Sequence, residues 1–442
     1  MKLKNTYVLH TKRFIAFAVI ILTINNSFGF VNTGNSDKIL QNIIYQKNIK
    51  SVLFYKKGWE LSDPVIEMNN QETLLLSFDE LGDSPQTYQY TIVHCNSDWE
   101  PSDLLDHEYI KGFSTAQIRD YKYSFNTTCD YIHYTLDFPN EEMAPKLSGN
   151  YILRVFKDFG QENKLLERRF YVVEPAVEVK ASVKRPSNIE LRDDGQKIDF
   201  TISYEGLRIS DPYSDIRVML MQNGRQDNMI RNLKPLFINA SELIYSHETE
   251  NVFLGSNEFR YFDIKSMRYQ AEFVASIDYK PPFYHVWLVP SEDKAFSPYY
   301  FINDLNGRYY VDVQEGRDKE IEADYVNVHF SLPVEAPLVE EEVYVMGALT
   351  DWGFDGHNQM TYNFDTHAYE LTLLLKQGFY NYMYAVLKKG EDKADVGYFE
   401  SNHYETENDY SVFVYYSDIT MRHEKLIAFY RTNTLSSGKR TE

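Results

Sequence analysis

The sequence predicts an all-β protein built as three β-sandwich domains in tandem, and three observations carry that prediction. Tyrosine, phenylalanine and tryptophan number 36, 28 and 4 among 442 residues, 15% of the chain, and such side chains favour pleated, half-buried surfaces. No apolar heptad is sustained, whereas short β-type runs bounded by Gly, Pro, Asn and Asp recur from residue 52 to residue 416. The length suits two to four domains, and 43% hydrophobic with 25% charged residues suits packed cores rather than disorder.

From the N-terminus, Lys2, Lys4, Lys12 and Arg13 precede an apolar run over 14–24, and Ser27, Phe28 and Gly29 follow. A basic start, a short apolar centre and a small-residue exit predict a secretory signal peptide over 1–29. As a helix the run would span roughly 17 Å, too short for a hydrocarbon core of ~30 Å. No Cys stands near the exit, which leaves lipoprotein processing without its acceptor. Removing this segment takes four basic and no acidic residues, so the formal net charge moves from −20 to −24. That acidity argues against nucleic acid, because phosphate neutralisation needs clustered Lys and Arg. It also argues against attachment to anionic lipid, so an exported, soluble protein without direct membrane insertion is expected.

The first domain is expected over 30–175. Strand-like runs at 52–55, 73–78, 88–94, 131–138 and 151–156 lead through a polar loop at 157–164 to a partner strand at 165–173. Glu174-Pro175 closes this region. The second domain is expected over 176–313: an alternating strand from Val177, a hairpin pairing 188–191 with 198–204 about Asp194-Gly195, and strands at 216–221, 258–264, 269–276 and 299–302. The charged stretch 314–324 reads as a linker. The third domain is expected over 325–430, with strands at 325–330, 343–347, 369–375, 379–387 and 410–416, and 436–442 reads as a frayed polar tail.

No catalytic centre is visible. The sequence holds no GxSxG, HExxH, Walker A or dinucleotide glycine fingerprint. His94 and His133 lie within aromatic strands, where a satisfied structural imidazole is the simpler reading than a metal ligand. Asp98, Glu100, Asp103 and Asp106 form an acidic loop without the regular spacing and central Gly of a calcium loop, so it reads as solvated. No metal, no cofactor and no enzymatic activity are expected. Cys95 and Cys129 are the only cysteines. An oxidising compartment would permit a disulfide between them, and two buried free thiols are the alternative.

The informative stretch runs from Thr91 to Tyr151. A Trp, several Tyr and small polar residues in a long inter-strand connection suit an interaction surface, since aromatics with polar tips dominate binding hot spots. The same aromatics could instead plug the end of a sandwich core. The expected partner-binding residues are Asn96, Asp98, Trp99, Tyr109, Gly112, Phe113, Asp120 and Tyr121. Tyr90, His94-Cys95-Asn96, Asp98-Trp99, Tyr109, Gly112-Phe113, Asp120-Tyr121, Ser124-Phe125-Asn126-Thr127, Tyr131, His133-Tyr134, Phe138-Pro139-Asn140 and Ser148-Gly149-Asn150-Tyr151 together form a pattern. It resembles that of the plug protein family of the Bacteroidetes type IX secretion system. The resemblance implies a periplasmic, non-enzymatic protein that closes the periplasmic mouth of the giant outer-membrane translocon barrel.

A second stretch holds Val343 to Trp352, Met360, Tyr369-Glu370-Leu371 and Gly378 to Tyr384. It resembles the early-set sandwich, an immunoglobulin-like fold related to starch- and glycogen-binding modules. Those modules bind sugar through a Trp and a Lys. Tyr369 takes the first place here and Met383 the second, so the charged donor is lost. A carbohydrate-binding or carbohydrate-processing exported protein is the alternative function, with Tyr369 and Trp352 as stacking residues.

Overall fold

A computed structural model describes residues 42–157 and 163–435. The expected signal peptide over 1–29, the tail 436–442 and most of the polar loop 157–164 lie outside the described residues. In the first sandwich, Ile49–Lys56, Leu74–Leu81, Tyr131–Phe138 and Asp120–Tyr123 form one antiparallel sheet in that order. The facing sheet runs Ile43–Ile44, Asn163–Val173, Gly149–Lys157, Tyr88–Cys95, Ala116–Ile118, with Val65–Glu67 added in parallel to Asn163–Val173. Period-2 alternation sends Leu74, Leu76 and Phe78 into the shared core, and aromatics span the two layers. Phe138 and Phe54 meet Phe170 edge-on at 5.3 and 5.8 Å. The alternate residues Ser77 and Asp79 are buried as well, because another sandwich covers the outer face of this sheet.

The second sandwich pairs Glu178–Lys184, Gly195–Ser203, Glu242–Tyr245 and Phe237–Ile238 in one sheet. Its other sheet runs Ile230–Leu233, Ile216–Gln222, Asp409–Tyr416, Lys425–Asn433. The third sandwich sets Arg260–Asp263, Gly378–Lys388, Tyr309–Val311 and Glu341–Met346 against Val274–Lys280, Phe283–Leu288, Tyr325–Pro333, Ala368–Lys376 and Thr361–Asn363. Phe283–Leu288 and Tyr325–Pro333 run parallel. The protein is all-β, and helix among the described residues is confined to short turns such as Lys319–Glu322.

The course of the chain differs from the tandem reading in two places. Strands near 258–264 and 269–276 were expected in the second domain and 410–416 in the third. Arg260–Asp263 instead pairs with Gly378–Lys388 in the third sandwich. Asp409–Tyr416 pairs along its whole length with Ile216–Gln222, placing Val412 and Val414 beside Val218 and Leu220 in the second core. The third sandwich is therefore an insertion between Leu254 and Asp409 rather than a C-terminal module at 325–430. A strand pattern states that a segment is extended; it carries no information on which distant edge completes its ladder.

Three local readings also change. Residues 188–191 form turns, and Gly195–Ser203 takes Glu178–Lys184 as its partner. Residues 299–302 form part of a loop, since the Tyr299 hydroxyl is drawn to the buried Glu258 carboxylate. The stretch 314–324 is more than a linker: its short helix lies against the first sandwich, where the Tyr131 hydroxyl donates to the Ala323 carbonyl at 2.9 Å.

Candidate functional site

The motif residues around His94, Trp99 and Asn150 gather where the first sandwich meets the second. His94 is buried with Nδ1 2.9 Å from the Ser102 hydroxyl and Nε2 3.3 Å from the Ser148 carbonyl. A carbonyl only accepts, so Nε2 carries the proton and Nδ1 receives the serine hydrogen. Burial pushes this imidazole down to about 4. Gly149 has φ +143°, and a Cβ there would stand 2.6 Å from His94 Nε2, so no side chain fits. Asn150 then reaches both ways: its Nδ2 donates to the Asn96 carbonyl at 3.1 Å, and its Oδ1 accepts the Tyr415 hydroxyl of the second sandwich at 2.7 Å. The Ser97 N–H donates to the Glu424 carboxylate at 2.6 Å, while Arg217 holds the other oxygen at 2.8 Å.

Trp99, in the left-handed region at φ +69°, is only 3% exposed. It packs edge-on against Tyr171 at 5.2 Å within a cluster that includes Met219, Met221, Phe413 and Leu426 of the second sandwich. The Arg169 guanidinium lies 4.2 Å above the indole. Tyr109 is also buried, its hydroxyl donating to Asp106 at 2.8 Å. Trp99 and Tyr109 were expected to meet a partner. They fill the joint and the core instead, because large apolar rings gain most by leaving water.

The other expected contacts sit outside. Asp98 is exposed and accepts the Glu100 N–H at 3.1 Å, while Asn96 is half-buried. Gly112 has φ +101° and passes so close to the Glu142 carbonyl that a Cβ would stand 2.2 Å from its oxygen. This close approach throws Phe113 outward, 66% exposed, while its N–H donates to Glu142 at 2.8 Å. Asp120 and Tyr121 lie on the edge strand Asp120–Tyr123, whose four residues are all exposed. Leu105, Phe113, Tyr121, Tyr123 and Phe125 thus expose apolar area along one continuous connection. An acidic run accompanies them at Asp98, Glu100, Asp103 and Asp106.

Other residues that the sequence did not single out hold the third sandwich. Asp79, fully buried on the first, accepts His133 Nδ1, the Tyr325 hydroxyl and Lys376 Nζ, each at 2.6 Å. Burial would raise the Asp79 carboxyl, but Lys376 and His133 outweigh it and hold the group below the usual carboxylate range. Lys376 also donates to the Glu320 carbonyl at 2.7 Å and lies 4.1 Å over the Tyr131 ring. At the meeting point of all three sandwiches, Arg308 binds Asp63 and Asp409 at 3.0 Å each, and Arg431 also binds Asp409. These are single charged residues in unrelated strands, so no spacing in the sequence could have grouped them.

Cys95 and Cys129 are free thiols. Cys95 lies in the cluster facing the second sandwich, whereas Cys129 lies in the turn whose Thr128 N–H donates to Asp324 beside the third. The sugar-stacking position Tyr369 is 5% exposed, and its hydroxyl accepts the Leu338 N–H at 2.7 Å. Met383 is buried, and Trp352 packs edge-on against Phe259 at 6.0 Å. The Tyr369 face a glycan would need is taken by protein, while Trp352 is half-buried. Among the described residues, no group of three His, Cys, Asp or Glu side chains is placed to hold a metal, and no helix is long and apolar enough to cross a membrane.

Residues 49–174 match the family model for the first domain of type 9 secretion system plug proteins. A crystal structure of a hypothetical protein from Parabacteroides merdae ATCC 43184 is similar, with a TM-score of 0.87 and 33% identity over 89% of this chain and 99% of its own. No curated protein matches the chain.

Proposed function

The chain belongs to the type IX secretion system plug protein family, and from that membership we propose that it acts in the periplasm as a non-enzymatic plug. It closes the periplasmic opening of the giant outer-membrane translocon barrel when no substrate occupies it. The match over 49–174 carries this reading. The construction of the molecule supports it. A stopper for a wide pore must be broad and keep its shape, and here both the apolar joint at Trp99 and the buried ionic joint at Asp79 tie neighbouring sandwiches together. It must also be removable, which favours a modest, partly polar contact over a large apolar one. Exposed Phe113 and Tyr121, with the acidic run at Asp98, Glu100, Asp103 and Asp106 earlier in the same connection, offer that kind of partly polar surface.

The test is recovery of partners by the tagged full-length protein from detergent-solubilised outer membranes. One very large barrel protein is expected, with recovery falling steeply as salt is raised and falling again for Phe113→Ser with Tyr121→Ser. Recovery of the protein alone, or with polysaccharide only, would sink the reading.

A further inference from the structure

We propose that the paired crossings between the second and third sandwiches form a proton-controlled joint, in which protonation of Glu258 and Asp304 keeps the strap 289–308 seated and their ionisation loosens it. The outgoing crossing, 255–259, and the returning one, 401–408, are zipped together. The Ser256 N–H donates to Asn402 Oδ1 at 3.1 Å, the His403 N–H to the Ser256 carbonyl at 2.9 Å, and Asn408 Nδ2 to the Gly255 carbonyl at 2.8 Å. A Cβ on Gly255 would lie 2.0 Å from the His403 carbonyl oxygen, so the two backbones touch.

Two carboxyl groups meet at this zipper, one within the outgoing crossing and one half-buried on the strap. Glu258 is fully buried; its Oε1 accepts the Tyr299 hydroxyl at 2.5 Å and the Glu407 N–H at 3.1 Å, and its Oε2 has no partner. Asp304, on the strap, accepts the N–H groups of Phe259 at 2.5 Å and Asn306 at 2.6 Å. Among the described residues, neither carboxyl has a cation within ion-pair distance. Three neighbouring elements turn charged or titratable groups toward them. From the strap come Lys294, which forms no ion pair with either, and Tyr299. From the returning crossing come Glu405, Glu407 and the ring of His403, 5.6 Å from that of Tyr299. From the third sandwich comes Arg260, whose Nε is spent on Glu400 at 2.8 Å.

Buried anions surrounded by further anions are destabilised, and the group gains a proton instead. Burial, reinforced by Glu258 and Glu407 and only partly offset by the Asn306 and Phe259 N–H groups, carries Asp304 from 3.8 up to about 7; burial also raises Glu258, against the Tyr299 hydroxyl, the Glu407 N–H and Lys294. In an open joint Asp304 returns to its ordinary value. A raised acid stabilises the closed form at low pH, and that contribution is lost as pH climbs from about 4 to about 7. The strap carries Phe296, Tyr300 and Phe301 on its outer side, so loosening it would reposition an exposed aromatic surface.

Hydrogen exchange by mass spectrometry on the full chain tests the idea, with rates at pH 5, 6, 7 and 8 normalised to an unstructured reference peptide. Peptides covering 289–308 and 401–408 should open at least tenfold more between pH 5 and 7 and level off above. Peptides from Gly149–Lys157 should not follow. Asp304→Asn removes the charge while keeping an acceptor for one of the two N–H groups, and should flatten the profile to within twofold; Glu258→Gln should reduce it independently if the first variant does not fold. A flat wild-type profile, or an unchanged rise in either folded variant, overturns the proposal.

Discussion

The two joints of the first sandwich solve one problem by opposite means. Against the second sandwich it offers Trp99, Tyr171 and Cys95 to Met219, Met221 and Phe413, an apolar contact edged by the Asn150–Tyr415 hydrogen bond. Against the third it offers a buried carboxylate, Asp79, to one ammonium, one phenol and its own His133. Apolar contact is tolerant of small shifts and degrades gradually. A buried ion pair contributes little over a well-packed apolar pair, yet the loss of one partner strands the other without water. The first joint therefore fixes proximity, and the second fixes orientation.

Breaking the ionic joint should produce the largest effect. Asp79→Ala leaves Lys376 buried without its carboxylate, and a loss of about 3–5 kcal/mol is expected in urea unfolding. Asp79→Leu with Lys376→Met should recover most of it, to within about 1 kcal/mol of wild type. Failure of the double variant to recover would mean that the network acts through something other than charge pairing. In the apolar joint, Trp99→Ala should cost about 3 kcal/mol, with no single second substitution to restore it, because a cavity has no counter-charge to remove. A loss below about 1 kcal/mol in the same assay would show that the two sandwiches barely depend on that contact.

The smallest effect sharpens the comparison through pH. His94 belongs to the first joint and is held neutral, its value pushed by burial down to about 4. The unfolded chain takes up a proton near 6.5 and the folded one does not, so stability is fully present above about 6.5 and declines towards pH 4. At most roughly 3 kcal/mol is lost over that window. Asp79 lies below the usual carboxylate range, so its contribution fades only as pH falls through still lower values. Unfolding measured from pH 8 to 4 should show the decline, and His94→Gln should make it shallower without abolishing it, since burial also depresses His329, His357 and His423. A decline as steep in the variant as in the wild type would assign the effect to those other imidazoles.

Much of the first sandwich was legible because its signals are local. Residues 88–94, 131–138 and 165–173 are aromatic and apolar runs that end at turn residues, and the structure has strands at Tyr88–Cys95, Tyr131–Phe138 and Asn163–Val173. The motif around His94 was legible as a unit because its parts fall within 60 residues on neighbouring strands. Its role was not: a Trp in a polar loop has the same sequence signature whether it faces a partner or another sandwich of the same chain. Lys376 was hidden for a different reason. It ends an apolar strand, where a lysine ordinarily reaches back to water, and only the distant Asp79 explains why it stays inside. The sharing of Asp409–Tyr416 with the second sandwich is the extreme case, since nothing within either strand encodes the partner across the insertion.

That last pairing also sets an order of events. Ile216–Gln222 keeps an open edge until Asp409–Tyr416 exists to cover it, about 190 residues later in the chain. The first and third sandwiches can close as soon as their own strands emerge, whereas the middle one waits for the end. A chain truncated before residue 409 would thus carry two finished sandwiches and one unfinished, with a bare strand edge that invites pairing with another copy. The last strands of the protein serve as a completeness check on everything before them.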